Sequence, residues 1–229
     1  MNRARLALLF AAPLLLVSCL LTPGKFVSTL DVRKDRSFTF TYAGEVIAAE
    51  EKMSESSDCD EGDEGCDAKA MADKKAKKAA DQEVKLRTVA EALRRESGYR
   101  SVEYLGLRKF RVDYAVSGRL DRNFIYPFNS DAAAIIPWIA IELRKDGTTR
   151  IKAPGFGEEE SMSSAGMPGP FGEGGSEKEG TFTLTTDAEL VMHNEESGEQ
   201  PVPGGTKKIV WRVTPATKAA PTAVLRFPR

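Results

Sequence analysis

Two of the three cysteines, Cys59 and Cys66, are close enough in sequence to act together. Six residues separate them, whereas a redox pair usually has the tighter Cys-x-x-Cys spacing and a zinc site needs further ligands. We therefore predict a disulfide that closes a short local loop. Its contribution to stability should lie below the roughly 3 kcal/mol expected of a 15-residue loop, so the core should survive its reduction.

The two cysteines lie in an acidic segment, residues 50–67, which carries nine acids against one lysine. A calcium loop places oxygen ligands at alternating positions around a glycine that forms the turn. Here Gly62 stands where the fifth-position ligand should be, and Asp63 stands where the glycine should be. We interpret 50–67 as a solvated acidic insert and predict no metal site.

His193 is the single histidine of the chain and therefore its one candidate imidazole base. A nucleophile elbow needs a glycine two residues before its serine, and Met162 occupies that place before Ser164. The glycines at 172–175 are not followed by the Lys-Ser or Lys-Thr of a phosphate loop. We predict no enzyme, no catalytic residue and no cofactor. A hydrolase with a carboxylate pair stays open, because the chain has 34 acids.

The N-terminus combines a basic start, Arg3 and Arg5, with an apolar run from Leu6 to Val17. Such a run is short for a bilayer span but has the length of a signal-peptide core. It ends in Leu-Val-Ser before Cys19, which resembles the lipobox of bacterial lipoproteins. The resemblance implies a signal peptide over 1–18 and acyl chains, palmitate among them, on Cys19. The alternative is ordinary secretion with Cys19 as an incidental thiol.

An acylated Cys19 predicts a bacterial envelope protein that is anchored to a membrane and faces the periplasm. Leu20 follows the cysteine in place of the aspartate that retains enteric lipoproteins in the inner membrane, which favours the outer membrane. An exported chain can also form the Cys59–Cys66 disulfide. The 33 basic and 34 acidic residues nearly balance, so we expect no nucleic acid among the partners.

After a tether at 19–24, the patterning predicts one periplasmic domain over 25–229. Residues 37–47 alternate apolar and polar side chains, which is typical of a half-buried antiparallel strand, and residues 110–116 do the same. The stretch 154–180 is rich in Gly, Glu, Ser and Pro and is interpreted as a flexible loop.

One principal helix is predicted between these strands. Leu86, Val89, Ala90 and Leu93 follow the i, i+3, i+4, i+7 spacing of a helix with one apolar face. The sequence therefore indicates an α+β fold with a mostly antiparallel β-sheet packed against one principal α-helix.

Segments at both ends of the chain resemble LppM-like bacterial lipoprotein domains. They are the hairpin from Leu30–Val32 to Phe38–Phe40, the run Thr185–Ala188 and the tryptophan-bearing strand Ile209–Val213. The resemblance implies a sheet curved against a helix, similar to lipid-binding grip folds, and a role in binding lipid or glycolipid.

The space between sheet and helix could hold a filled core or an apolar ligand, because the same side chains line both. The membrane anchor and the family resemblance favour a ligand, which we predict to be lipid or glycolipid. The candidate lining residues are Phe38, Phe40, Tyr42, Leu86, Val89, Leu93, Phe110, Val112 and Tyr114. The alternative is a structural or assembly lipoprotein without a cavity, whose partner is another envelope protein.

Overall fold

The computed structural model describes residues 21–48, 68–127, 137–157 and 178–228. Cys19, Cys59 and Cys66 lie outside the described residues, as does the acidic insert. The predicted acyl anchor and the predicted disulfide therefore stay predictions.

Strands dominate the described residues, which also contain one long α-helix and a short 3₁₀ turn at Pro154–Phe156. The elements in chain order are β1 Leu21–Val32, β2 Ser37–Ala48, α1 Ala68–Leu93, β3 Tyr99–Gly106, β4 Lys109–Arg119, β5 Phe124–Tyr126, β6 Ile139–Leu143, β7 Thr148–Lys152, β8 Glu179–Thr186, β9 Glu189–His193, β10 Gln200–Val202, β11 Thr206–Val213 and β12 Thr222–Arg226.

The strands form two sheets. The larger has the order β10-β11-β8-β1-β2-β4-β3, and the smaller has the order β5-β6-β7-β12-β9. The pairing is antiparallel except between β1 and β8, which run parallel. The predicted outline, mostly antiparallel strands with one principal helix, is confirmed, but the fold is dominated by strands and divides them between two sheets.

Two boundaries differ from the sequence prediction. Leu21 already pairs with Ala48 in the β1–β2 ladder, so strand structure begins inside the predicted tether at 19–24. Both ends of the predicted loop at 154–180 are also ordered, because Pro154–Phe156 forms a 3₁₀ turn and β8 starts at Glu179. Phe156 is fully buried, which explains why its end of the loop is fixed to the core.

The alternation of β2 and β4 creates the inner face of the larger sheet. Tyr42 pairs with Tyr114 and Val46 pairs with Phe110 across this ladder, and all four side chains are buried. Successive strand residues point to opposite faces, so the polar residues between them face outward. The smaller sheet covers this inner face, and α1 covers the part near β3.

Helix α1 packs through the apolar face that the sequence predicts. Leu86 and Ala90 are buried, and Val89 and Leu93 are partly buried against the same core. The side chain of Arg94 ties the following turn to β3, because its Nε donates a hydrogen bond to the carbonyl of Val102 at 2.6 Å.

Candidate functional site

All nine predicted lining residues meet in one apolar cluster. Seven of them are buried, and Val89 and Leu93 pack against the cluster from the helix. The predicted residues of β2, β4 and α1 therefore lie together in the core, and their role in lining a ligand site stays a prediction.

The cluster also contains aromatic side chains of the smaller sheet, which are not among the predicted lining residues. The ring of Phe40 lies 5.1 Å from Tyr126 and 6.0 Å from Phe124, measured between centroids. Tyr42 lies 4.8 Å from Trp138 in the same way. These distances are typical of packed aromatic pairs. In the described residues, protein side chains therefore cover Phe40 and Tyr42.

We call the remaining space between the C-terminal end of α1 and the two sheets the seam. It measures about 10 Å³, which is the room of one water molecule. Its lining is mostly apolar and consists of Leu21, Val46, Leu93, Tyr99, Phe110, Val112, Tyr126, Pro127 and Trp138. Three of its nine members, Leu93, Phe110 and Val112, belong to the predicted lining, whereas the other six predicted residues do not line it. Five members come from outside the predicted strand and helix faces: Leu21, Tyr99, Tyr126, Pro127 and Trp138.

The polar atoms of the seam are paired or held neutral. Nε1 of Trp138 donates a hydrogen bond to the carbonyl of Leu21 at 3.0 Å, which fixes the first residue of β1. Burial raises the pKa of Tyr99 to about 12. Burial also raises the pKa of Tyr126, whose hydroxyl bonds that of Tyr99. Near neutral pH both phenols are uncharged, so the seam suits apolar matter better than an ion.

We expect alkaline pH to destabilise the domain because of these tyrosines. Folding raises the pKa of Tyr99 from 10.0 to about 12, so the folded state holds the phenolic proton more tightly than the unfolded state does. The resulting contribution to the free energy of unfolding is fully present below pH 10 and is lost as the pH rises through 12. At 1.36 kcal/mol per pKa unit, the loss is about 3 kcal/mol. Thermal melting followed by circular dichroism between about pH 8 and pH 12 measures it. The variant Tyr99→Phe should lose less stability over that range, and an equal loss would contradict the assignment.

The described residues contain little that resembles catalytic machinery. Within them, no aspartate or glutamate is buried, and no group of three potential metal ligands comes together. The buried ammonium group of Lys178 donates to the carbonyl of Gly157. His193 is half-buried at the end of β9, and its Nδ1 accepts a hydrogen bond from the amide of Glu195 at 3.2 Å.

A second concavity, of about 370 Å³, lies on the larger sheet and is more open than the seam. We call it the outer groove. It is lined by Lys25, Ala43, Gly44, Glu45, Ser101, Arg111, Val112 and Asp113. Two of its charges have partners close by, since Arg111 lies 3.1 Å from Glu103 and Asp113 lies 3.9 Å from Arg100. Its mixed charges suit a polar protein surface better than a lipid chain.

Comparison with known proteins yields a loose structural likeness. No family model and no curated protein matches the chain. The NMR structure of the folded domain of the LppM protein of Mycobacterium tuberculosis is similar at a TM-score of 0.32 and 17% identity, over 91% of this chain and 93% of that one. LppM belongs to the group of lipoproteins that the sequence resembles. The likeness is too loose for any function to follow from it. Separately, no helix in the described part of the chain is long and apolar enough to cross a membrane.

Proposed function

We propose that the chain is a lipid-anchored protein of the bacterial envelope whose domain takes the apolar part of a lipid or glycolipid into the seam. The observation that carries the proposal is the position of the seam. Its lining includes Leu21, which follows Cys19 by two residues. An acyl anchor on Cys19 would hold this apolar site beside the membrane from which a lipid would enter.

A lipid can enter the seam only if α1 moves. The seam holds about 10 Å³, far less than an acyl chain needs. The helix is held mainly by Leu86 and Ala90, with Val89 and Leu93 partly buried beside them. Exposing this face costs about 5 kcal/mol. An acyl chain of about 16 carbons gains roughly 12 kcal/mol when it leaves water, at about 0.8 kcal/mol per methylene, but a lipid that enters from the bilayer has already made that gain. The proposal therefore requires the incoming acyl chain to cover the apolar face of α1 that it displaces, because transfer from the bilayer by itself returns little hydrophobic free energy.

Labelling with a diazirine-bearing phospholipid tests the seam directly. We expect adducts on residues of the seam, Leu93 and Tyr99 among them. The variant Leu93→Asp should lower labelling at least about tenfold, because it places a charge among apolar side chains. The matched control is Val84→Asp, on the same helix, where the side chain is 64% exposed and touches no part of the seam.

The two variants separate lipid binding from general damage to the fold. Val84→Asp should label like the unaltered protein, and both variants should keep a cooperative thermal transition. Equal labelling of Leu93→Asp and Val84→Asp, or adducts confined to the outer groove, would contradict a lipid site in the seam.

A second candidate function is that of a structural or assembly lipoprotein. The close packing around Phe40 favours it, because a domain that acts through its surface needs no internal space. The outer groove would then contact an envelope protein through Lys25, Glu45, Arg111 or Asp113. This candidate predicts a protein partner that crosslinks in intact cells and is lost in Arg111→Glu, with no lipid retained.

The proposal includes no catalytic step and no cofactor. It places the domain on the periplasmic side, and Leu20 beside the anchor favours the outer membrane. Its partners are the membrane, through Cys19, and the lipid or glycolipid in the seam.

A further inference from the structure

The turn between β3 and β4 carries an exposed leucine in an unfavourable backbone conformation. Leu107 and Arg108 form this turn with φ angles of 50° and 64°. Two-residue hairpin turns with positive φ prefer Asn-Gly, because a bulky side chain is strained there. Leu107 is nevertheless 85% exposed, and Leu105 is 39% exposed. Neither backbone preference nor packing among the described residues accounts for a leucine at position 107.

This turn lies at the end of the larger sheet where the chain enters from Cys19. Leu21 pairs with Ala48, and the amide of Ala48 donates a hydrogen bond to the carbonyl of Arg108 at 2.9 Å. The two residues from Cys19 to Leu21 span at most about 7 Å. An anchor on Cys19 would therefore hold the membrane surface close to Leu107.

Helix α1 runs antiparallel to β3. Arg94 bonds the carbonyl of Val102 at 2.6 Å, while the guanidinium of Arg87 lies 5.7 Å from the centre of the Tyr104 ring. Moving back along the helix therefore leads forward along β3, towards Leu107. The N-terminal half of α1 continues in that direction.

That half of the helix carries exposed positive charge. Lys74, Lys77 and Lys78 are exposed, and Lys78 lies about 12 Å beyond Leu86 at 1.5 Å per residue. Lysines near a bilayer are attracted by anionic headgroups. An exposed leucine is stabilised when its side chain leaves water and enters the boundary between headgroups and acyl chains. Both features occur at the same end of the domain.

We propose that this end of the domain docks on the bilayer itself, with Leu107 in the headgroup boundary and Lys74, Lys77 and Lys78 against anionic headgroups. The inference rests on the anchor of the proposed function, which brings the bilayer close, but does not depend on a ligand in the seam. Docking would fix the orientation of the domain, which a two-residue link alone does not do.

Photocrosslinking in liposomes tests the docking. The full mature protein is reconstituted in phosphatidylcholine and phosphatidylglycerol, with a diazirine amino acid at Leu107 or, as control, at Val191. Val191 is apolar and 44% exposed. It lies on β9, five residues after Thr186, which pairs with Val32 at the end of β1 away from Leu21. We expect at least about tenfold more lipid adduct from position 107 than from position 191.

Equal lipid adducts from the two positions would overturn the docking, as would adducts at 107 that join two copies of the protein. The variant Leu107→Asn should melt at the same temperature or higher, because Asn tolerates positive φ. A fall of several degrees would show that Leu107 serves the fold and would also overturn the inference. The acyl mass on Cys19, measured in the same sample, reports on the anchor separately.

Discussion

Replacing Cys19 with alanine is expected to abolish the incorporation of labelled palmitate and the partitioning of the protein into detergent. The thiol of Cys19 is the one atom in the lipobox-like segment that can carry a thioether-linked lipid. A single acyl chain gives only marginal membrane binding, whereas two or more hold a protein stably, so the change should be from nearly complete partitioning to almost none. Metabolic labelling and detergent-phase separation measure it.

The other two cysteines provide the matched control. Cys59→Ala and Cys66→Ala remove thiols that lie 40 or more residues downstream and should leave both readouts unchanged. Retention of label in Cys19→Ala would show that the anchor lies elsewhere. Retention of partitioning without label would point instead to an uncleaved signal peptide.

Truncating Phe40 to alanine is expected to cost about 4 kcal/mol of the free energy of unfolding. Phe40 is fully buried, and its ring lies within packing distance of Tyr114, Phe124 and Tyr126. The variant loses the transfer free energy of the ring and leaves a cavity between the two sheets. Chemical denaturation measures the loss, and the thermal midpoint should fall by roughly 10 °C.

The control for Phe40→Ala is Val27→Ala, on the neighbouring strand β1. Val27 is 56% exposed on the outer face, so its truncation should cost less than about 1 kcal/mol. A loss below about 1.5 kcal/mol for Phe40→Ala would mean that its ring contacts few neighbours. That result would indicate that the interior already contains a cavity before lipid binds. It would contradict a packed interior that opens only when α1 is displaced.

Local patterning predicts the larger sheet and the helix face well. Ser37–Ala48 and Lys109–Arg119 alternate because one face of each strand is buried and the other is exposed. Leu86 and Ala90 recur at helical spacing because one face of α1 meets the sheet. In both cases the period of the backbone is visible in the side chains.

The second sheet is harder to predict because its strands are short. Phe124–Tyr126 has three residues, too few for a period to be recognised. The parallel pairing of Leu30 with Leu184 joins residues more than 150 positions apart, and no local pattern encodes such a contact. Fold class could therefore be predicted, whereas the division into two sheets could not.

In the candidate site too, residues in locally patterned strands could be predicted and contacts between distant residues could not. Tyr42 and Phe110 were predicted to face the interior, and both are buried, because each lies in an alternating strand, but only Phe110 lines the seam. Trp138 was missed as a member, because its bond to the carbonyl of Leu21 joins residues 117 positions apart. The exposure of Leu107 could not be predicted either, because the residue type alone does not distinguish a leucine in a hairpin turn from a leucine in the core.

Native mass spectrometry of the mature protein, extracted from the envelope in a mild detergent, shows directly whether the domain holds a lipid in the seam. We predict a chain that carries acyl groups on Cys19 and retains one further lipid without a covalent bond. Organic extraction should release that lipid, and its mass should identify it. The further lipid should be absent from Leu93→Asp and present in Val84→Asp. An acylated chain that retains no second lipid would contradict lipid binding in the seam.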